Sequence, residues 1–252
     1  MNSPTHRNSD LDQQGRQQLT GNIEVLLFDV FGTVVDWRGS LIRQLETLSG
    51  LRGWEMNATQ FADQWRGQYN PAMNEVLAGT LPWANLDELH RTSLLALLDE
   101  HSIAVSSEDI NAMVSFWHQL DAWPDTTSGI RRLKRRFIVG TMSNANVALL
   151  TNLAKHADLD WDVILSAELV RRYKRDPESY HRNVALLDRP MSKVMMVAAH
   201  PGELKAVAEL GMKTAFVSRP TEFGDHGQRL GPEQHVDIAC DSINELATAL
   251  GV

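Results

Sequence analysis

The stretch Glu24-Val-Leu-Leu-Phe-Asp-Val-Phe-Gly-Thr-Val-Val-Asp36 decides the fold. Its apolar run, Val25 to Phe28, has the length and composition of a fully buried strand. A carboxylate, Asp29, closes the run, and Gly32 and Thr33 read as a tight loop after it. In open parallel α/β sheets, ligands bind beyond the carboxyl ends of the strands. A buried strand that delivers Asp29 to that edge therefore presents a candidate reactive group. Many strands of such sheets end in Asp, so the pattern needs partners from later in the chain.

Beyond this strand, Leu41, Leu45 and Leu48 recur at helical spacing, and the character stays helical to about residue 120. Phe61, Trp65 and Tyr69 fall on one face of a helix spanning Thr59 to Tyr69. Leu86 to Leu98 is strongly amphipathic. Ser106-Ser-Glu-Asp109 reads as an N-cap and acidic first turn of a helix running to Leu120. After Trp123-Pro-Asp125 an alternation begins. Strands are expected at Phe137–Met142, Trp161–Ser166, Val194–Ala199 and Thr214–Ser218. Helices are expected at Thr127–Arg135, Asn146–His156, Pro177–Leu187, Glu203–Leu210 (closed by Gly211) and Ile243–Leu250. This predicts an α/β fold: a doubly wound, parallel-sheet, Rossmann-like core with an inserted helical cap domain. The expected boundaries are a disordered tail over 1–21, a core formed by 22–36 and 122–252, and a cap over 37–121.

The totals narrow the function. With 252 residues and 43% apolar content the chain builds one large core or a core plus a smaller module. A net charge of −8 argues against nucleic-acid or membrane-surface partners. The single cysteine, Cys240, excludes an internal disulfide and a Cys-rich metal site, and points to a reducing, cytoplasmic setting. No run approaches the roughly 20 apolar residues that span a bilayer, and the first twenty residues lack the apolar centre of a signal peptide.

Polar groups recur at the expected strand ends: Asp29, Ser143-Asn144, and His200 with Glu203 just beyond. Lys174 follows another strand, in Tyr173-Lys-Arg-Asp-Pro-Glu-Ser-Tyr180. These four blocks, in this order, resemble the four motifs of the haloacid dehalogenase superfamily, over nearly the whole chain after residue 22. Phosphatases of that superfamily carry a second Asp two residues after the nucleophile, and the pair frames magnesium. Here Phe31 holds that position, and a phenyl ring neither protonates an alkoxide nor coordinates through oxygen. The Asp-Val-Phe-Gly-Thr form resembles the type II (S)-2-haloacid dehalogenases, which use no metal or other cofactor. Trp65-Arg66, Ser143-Asn144, Lys174 and Tyr180 also fall where that family has matching residues.

The resemblance implies roles. Asp29 is the expected nucleophile, attacking C2 of a 2-haloalkanoate, expelling halide and leaving an aspartyl ester. Water then releases a 2-hydroxy acid inverted at C2. Lys174 keeps Asp29 ionised and balances the substrate carboxylate. Thr33, Ser143 and the backbone N–H groups after Asp29, at Val30 and Phe31, are suited to hydrogen-bond Asp29 and that carboxylate. Arg66, helped by Asn144, receives the departing halide. Tyr180 and Asp176 are candidates to orient Lys174, and Trp37, with Trp65 and Tyr69, to exclude water. The implied partners are a small halogenated carboxylic acid and water, with fluoroacetate a candidate substrate and a homodimer a candidate assembly.

The fourth motif departs from the family pattern. In Val197-Ala-Ala-His-Pro-Gly-Glu203, Ala198 replaces a serine, His200 an asparagine, Gly202 an aromatic residue and Glu203 an aspartate. His200, read as a neutral acceptor near pH 7, and Glu203 are alternative activators of the hydrolytic water. Gly202 removes a wall of the halide pocket, and an extra imidazole donor there would suit fluoride. The rivals are a phosphatase on the same fold, kept open by Glu203 as a magnesium ligand, and a non-catalytic carboxylate-binding protein.

Overall fold

A computed structural model describes residues 22–252; the tail expected over 1–21 lies outside the described residues. The strands are β1 (Val25–Phe28), β2 (Val35–Asp36), β3 (Asp121–Ala122), β4 (Ile138–Ser143), β5 (Val163–Ser166), β6 (Val194–Ala198), β7 (Lys213–Val217) and β8 (Ile238–Cys240). Six of them form one sheet in the order β5-β4-β1-β6-β7-β8, with every neighbouring pair parallel. Counted among themselves these strands run 3-2-1-4-5-6, the doubly wound order whose crevice opens where the winding reverses. That reversal lies between β1 and β6.

All four residues of β1 are fully buried. A strand covered on both faces reads as a continuous apolar run, and Val25–Phe28 has that form. Leu26 and Phe28 join the larger core with Val139, Val197 and Val217, while Val25 and Leu27 pack on the other face with Met142, Met196 and Phe216. Fully burying one such side chain is worth about 1.5–3 kcal/mol, so β1 is a firmly anchored place to mount a reactive group.

The chain leaves the core through β2 and returns through β3, which pair antiparallel with Val35 opposite Ala122. Between them run helices α1 (Trp37–Arg52), α2 (Ala58–Gly67), α3 (Tyr69–Leu77), α4 (Leu86–Glu100) and α5 (Ser107–Ser115). Four of these starts are capped, by Asp36, Asn57, Asn85 (with Glu88 completing a capping box) and Ser106. Phe61, Trp65, Leu94, Met113 and Trp117 form the cap's buried interior. The core helices are α6 (Thr126–Leu133), α7 (Val147–His156), α8 (Ala167–Val170), α9 (Pro177–Ala185), α10 (Pro201–Glu209) and α11 (Ile243–Ala249).

Two expectations are corrected. The helix expected over Thr59–Tyr69 stops at Gly67, a weak helix former, and Tyr69 opens a separate helix. The helix from Ser106 ends at Ser115 and tightens into a 3₁₀ turn at Phe116–His118 instead of reaching Leu120. The ribbon β2–β3, the edge strand β8 and the single turn α8 were not foreseen, each being too short to carry a period. Gly211 follows α10 with φ +86°, the left-handed position expected of its terminator.

Candidate active site

At the end of β1 the Asp29 N–H still donates to the Val197 carbonyl of β6, at 3.0 Å. The chain then doubles back: Val34 and Val35 donate to the Val30 carbonyl at 2.9 and 3.2 Å, and Gly32 takes φ +86°. A Cβ at Gly32 would overlap the carboxylate of Glu222; glycine is required there both for conformation and for space. Thr33, fully buried, donates to Asp29 Oδ2 at 2.9 Å and accepts the Ala199 N–H at 2.9 Å. One hydroxyl thus fixes the loop after β1 against the end of β6.

Asp29 is 7% exposed. Its Oδ1 accepts from Lys174 Nζ at 2.8 Å, and its Oδ2 lies 3.0 Å from His200 Nδ1. Burial alone would raise its pKa, but the Lys174 ammonium and the His200 ring hold it well below the usual carboxylate range. Lys174 Nζ also reaches Glu203 Oε1 at 2.7 Å and donates to the Met142 carbonyl at 2.8 Å. Burial opposes its charge, yet the two carboxylates raise its pKa above that of free lysine. Glu203 moves the other way: burial, with Asp29 adding to it, raises its pKa despite Lys174. Its Oε1 also accepts from the Tyr180 hydroxyl at 3.3 Å.

His200 is not the neutral acceptor read from the sequence. Nδ1 faces Asp29 and Nε2 faces Glu222, at 3.0 and 3.1 Å to its two oxygens. Carboxylates only accept, so both ring nitrogens carry protons. Burial works against that charge, but hydrogen bonds to Asp29 and Glu222 push the His200 pKa up to about 10. With both nitrogens engaged, the imidazole is also not a spare donor for a halide.

The cap supplies the opposite wall. The Arg66 guanidinium lies 4.1 Å over the Tyr69 ring and 5.4 Å from the Trp37 ring centroid, and its buried Nε has no hydrogen-bond partner among the described residues. Phe31 is buried against Tyr69 and Trp117. Trp37 donates its indole N–H to Glu222 at 3.3 Å. Asn144 accepts the Lys174 backbone N–H at 2.7 Å.

The structure therefore gathers Asp29, Thr33, Lys174, Tyr180, His200 and Glu203 into one hydrogen-bonded cluster, with Asn144 bonded to the Lys174 backbone and Arg66, Phe31 and Trp37 on the cap-facing side. Val30 contributes its carbonyl to the turn. Ser143 is buried nearby, but its oxygen accepts from the Ala145 N–H, where it caps the loop. Asp176 is the N-cap of α9, and Gly202 faces Arg175. Sequence reasoning missed Glu222, 1% exposed, and Arg219, which binds the Thr33 carbonyl and Asp125. The available signal was positional: their loop follows β7, the sheet neighbour of β6, and so opens on the same edge.

Asp29, His200 and Glu203 bring possible metal-ligand atoms within 4.8 Å of one another. Lys174 bridges the two carboxylates and His200 carries a proton on each nitrogen, so the donor set is already compensated by cations. Magnesium takes six near-octahedral oxygens; Phe31 offers none, and this cluster does not fit it.

The model of the haloacid dehalogenase-like hydrolase family matches residues 23–211. Among solved structures, the L-2-haloacid dehalogenase PA0810 is 43% identical, with a TM-score of 0.88 over 90% of this chain and 98% of that one. The defluorinating L-2-haloacid dehalogenase Rha0230 is 38% identical, with a TM-score of 0.90 over 93% and 98%. The L-2-haloacid dehalogenase from Xanthobacter autotrophicus, with chloropropionic acid covalently bound, is 18% identical with a TM-score of 0.75 over 90% and 97%, a likeness of fold. No curated protein matches the sequence.

Proposed function

The chain belongs to the haloacid dehalogenase-like hydrolases, and we propose that it is an (S)-2-haloacid dehalogenase, a hydrolase acting on the carbon–halide bond of short 2-haloalkanoic acids. The observation that carries this reading is Asp29 itself: ionised, buried at the switch point of the sheet, held by Lys174, Thr33 and His200, and followed by Phe31 where phosphoryl-transfer chemistry needs a second carboxylate. The L-2-haloacid dehalogenases at 43% and 38% identity support it.

Asp29 attacks C2 in line with the carbon–halogen bond, which breaks with both electrons going to the halide. The product of this step is an aspartyl ester, and C2 is inverted. Lys174 keeps the nucleophile ionised and Thr33 orients it. Arg66, whose buried Nε has no partner among the described residues, meets charge that grows on the halide as the bond stretches. A cation placed there lowers the transition state more than the ground state, an effect typically worth 10²–10³ in rate. Asn144 assists, and Phe31, Trp37 and Tyr69 keep water from the reacting carbon. Water then opens the ester at the Asp29 carbonyl and releases the 2-hydroxy acid.

We take the reaction to be metal-independent, since Lys174 supplies the cation between Asp29 and Glu203. We take 37–121 as the cap and 22–36 with 122–252 as the core, divided at the β2–β3 ribbon. Among the described residues no helix is long and apolar enough to cross a membrane. We place the enzyme in the cytoplasm on its single, buried cysteine, Cys240, which suits a reducing compartment. The defluorinating relative makes fluoroacetate a substrate to test. Halide release from fluoro-, chloro- and bromoacetate and both enantiomers of 2-chloropropionate tests the reading. It predicts chloride from the (S) enantiomer without added metal. Magnesium-dependent hydrolysis of p-nitrophenyl phosphate with no halide released would replace it with the phosphatase.

A further inference from the structure

We propose that Glu222 is a positioning residue for ester hydrolysis: with His200 it forms a dyad that is a hydrogen-bond donor while Asp29 is a free carboxylate and becomes the base for water once Asp29 is esterified. The inference rests on the dehalogenase reading above and settles which group serves its second half-reaction.

The geometry is specific. The His200 ring spans two carboxylates, Asp29 at 3.0 Å and Glu222 at 3.0 and 3.1 Å. Glu222 is held in place by the Trp37 indole N–H at 3.3 Å and by the missing side chain of Gly32. Its loop is pinned by Arg219, which binds the Thr33 carbonyl at 2.9 Å and Asp125 at 2.8 and 3.0 Å. The charged groups that face His200 are therefore Asp29 from β1 and Glu222 from the β7–β8 loop, with Lys174 and Glu203 beyond Asp29. Glu203 has its Oε1 engaged by Lys174 and Tyr180, whereas His200 is the group that links Asp29 to Glu222 directly.

With Asp29 ionised, both ring nitrogens donate and neither has a lone pair for water. Alkylation turns Asp29 into a neutral ester and removes one of the two charges that keep the ring protonated. The Nδ1 proton then departs to solvent, which the ring reaches through its 25% exposed side chain, while Nε2–H stays donated to Glu222. The ring is now neutral, with the Nδ1 lone pair on the side of the ester. Water adds to the Asp29 carbonyl carbon as one of its protons passes to Nδ1. Collapse breaks the bond from that carbon to the alkyl oxygen, and the leaving alkoxide takes the Nδ1 proton to become the 2-hydroxy acid. Asp29 is left as the acid and returns its proton to His200, restoring the starting ion pair. In sum, one haloacid and one water give one hydroxy acid, one halide and one proton.

The test is rapid-quench kinetics of the full-length enzyme with chloroacetate, following chloride release and intact protein mass. In Glu222→Gln the chloride burst stays within about threefold of the parent, while ester decay slows on the order of 10²-fold, the usual range of a lost acid–base contribution. The carboxymethyl ester on Asp29 therefore accumulates, and Glu222→Asp restores part of the decay rate. The acid limb of the parental decay profile, which reports His200 in the ester form, moves to lower pH in Glu222→Gln. His200→Gln, checked for folding by circular dichroism, accumulates the same ester. Parental ester decay in Glu222→Gln or His200→Gln overturns the inference, as does a burst slowed as much as the decay. A parent enzyme that releases no halide overturns the dehalogenase reading and this inference with it, whereas a parent that does so beside a normally decaying Glu222→Gln overturns the inference alone.

Discussion

Replacing Lys174 by methionine removes the one ammonium shared by Asp29 and Glu203. In the parent its Nζ lies 2.8 Å from Asp29 and 2.7 Å from Glu203, with 6% of the side chain exposed. Methionine keeps the hydrocarbon volume but leaves two carboxylates facing each other. Deleting one partner of a buried ion pair costs roughly 3–5 kcal/mol. Glu203, whose pKa burial already raises, relieves part of this by taking up a proton, which places the cost near the lower end. At 2–4 °C per kcal/mol for a chain of this size, Tm falls by about 6–12 °C. Asp29 has a lowered pKa, so its share of the pair's stability is present above the ordinary aspartate value and fades as pH drops below about 4. Lys174 has a raised one, so its share persists below the ordinary lysine value. In Lys174→Met, Glu203 gives that proton up again as pH rises, so the deficit grows with pH and shrinks in acid. The halide burst at pH 7 drops on the order of 10²-fold, because the nucleophile has lost the charge that held it ionised and oriented. Thermal melts across pH and stopped-flow halide detection check both halves. A variant that melts within about 2 °C of the parent and releases halide at the parental rate would refute the reasoning.

Arg66→Lys loses the guanidinium that lies 4.1 Å over the Tyr69 ring and its fixed N–H fork, so the halide burst falls by about 10²-fold while circular dichroism is unchanged; a parental burst contradicts the role. Gly32→Ala forces φ +86° on an alanine and drives Cβ into Glu222, costing about 1–3 kcal/mol by denaturant titration. His200 has a pKa raised to about 10, so its ion pairs stabilise the fold fully below about pH 6.5 and are lost as pH rises through about 10. The stability difference between the parent and His200→Gln should accordingly narrow from pH 7 to pH 10.

What the sequence revealed was what each residue declares locally. The β1 run, the alternation after Trp123 and the polar strand ends were legible because buried parallel strands and amphipathic helices repeat with fixed periods. Asp29, Lys174 and His200 stand out in the sequence because each follows a readable element, and the structure brings them together. The partner of His200 was not, since Glu222 sits in an aperiodic loop, 22 residues away in the chain, and only the β6–β7 pairing brings the two together. The protonation of His200 was misread for the same reason: a ring flanked by two carboxylates cannot be told from a free one without its neighbours. Tyr69 was assigned to the wrong helix because aromatic periodicity ran straight through the break after Gly67.

In the proposed reaction a carboxylate oxygen of Asp29, and not water, attacks the carbon bearing the halogen. A single turnover of (S)-2-chloropropionate with excess enzyme in H₂¹⁸O, followed by mass spectrometry of the peptide carrying Asp29 and of the lactate, tests it directly. The covalent route puts the label into Asp29 and leaves the first lactate unlabelled. Labelled lactate with an unlabelled Asp29 would contradict it.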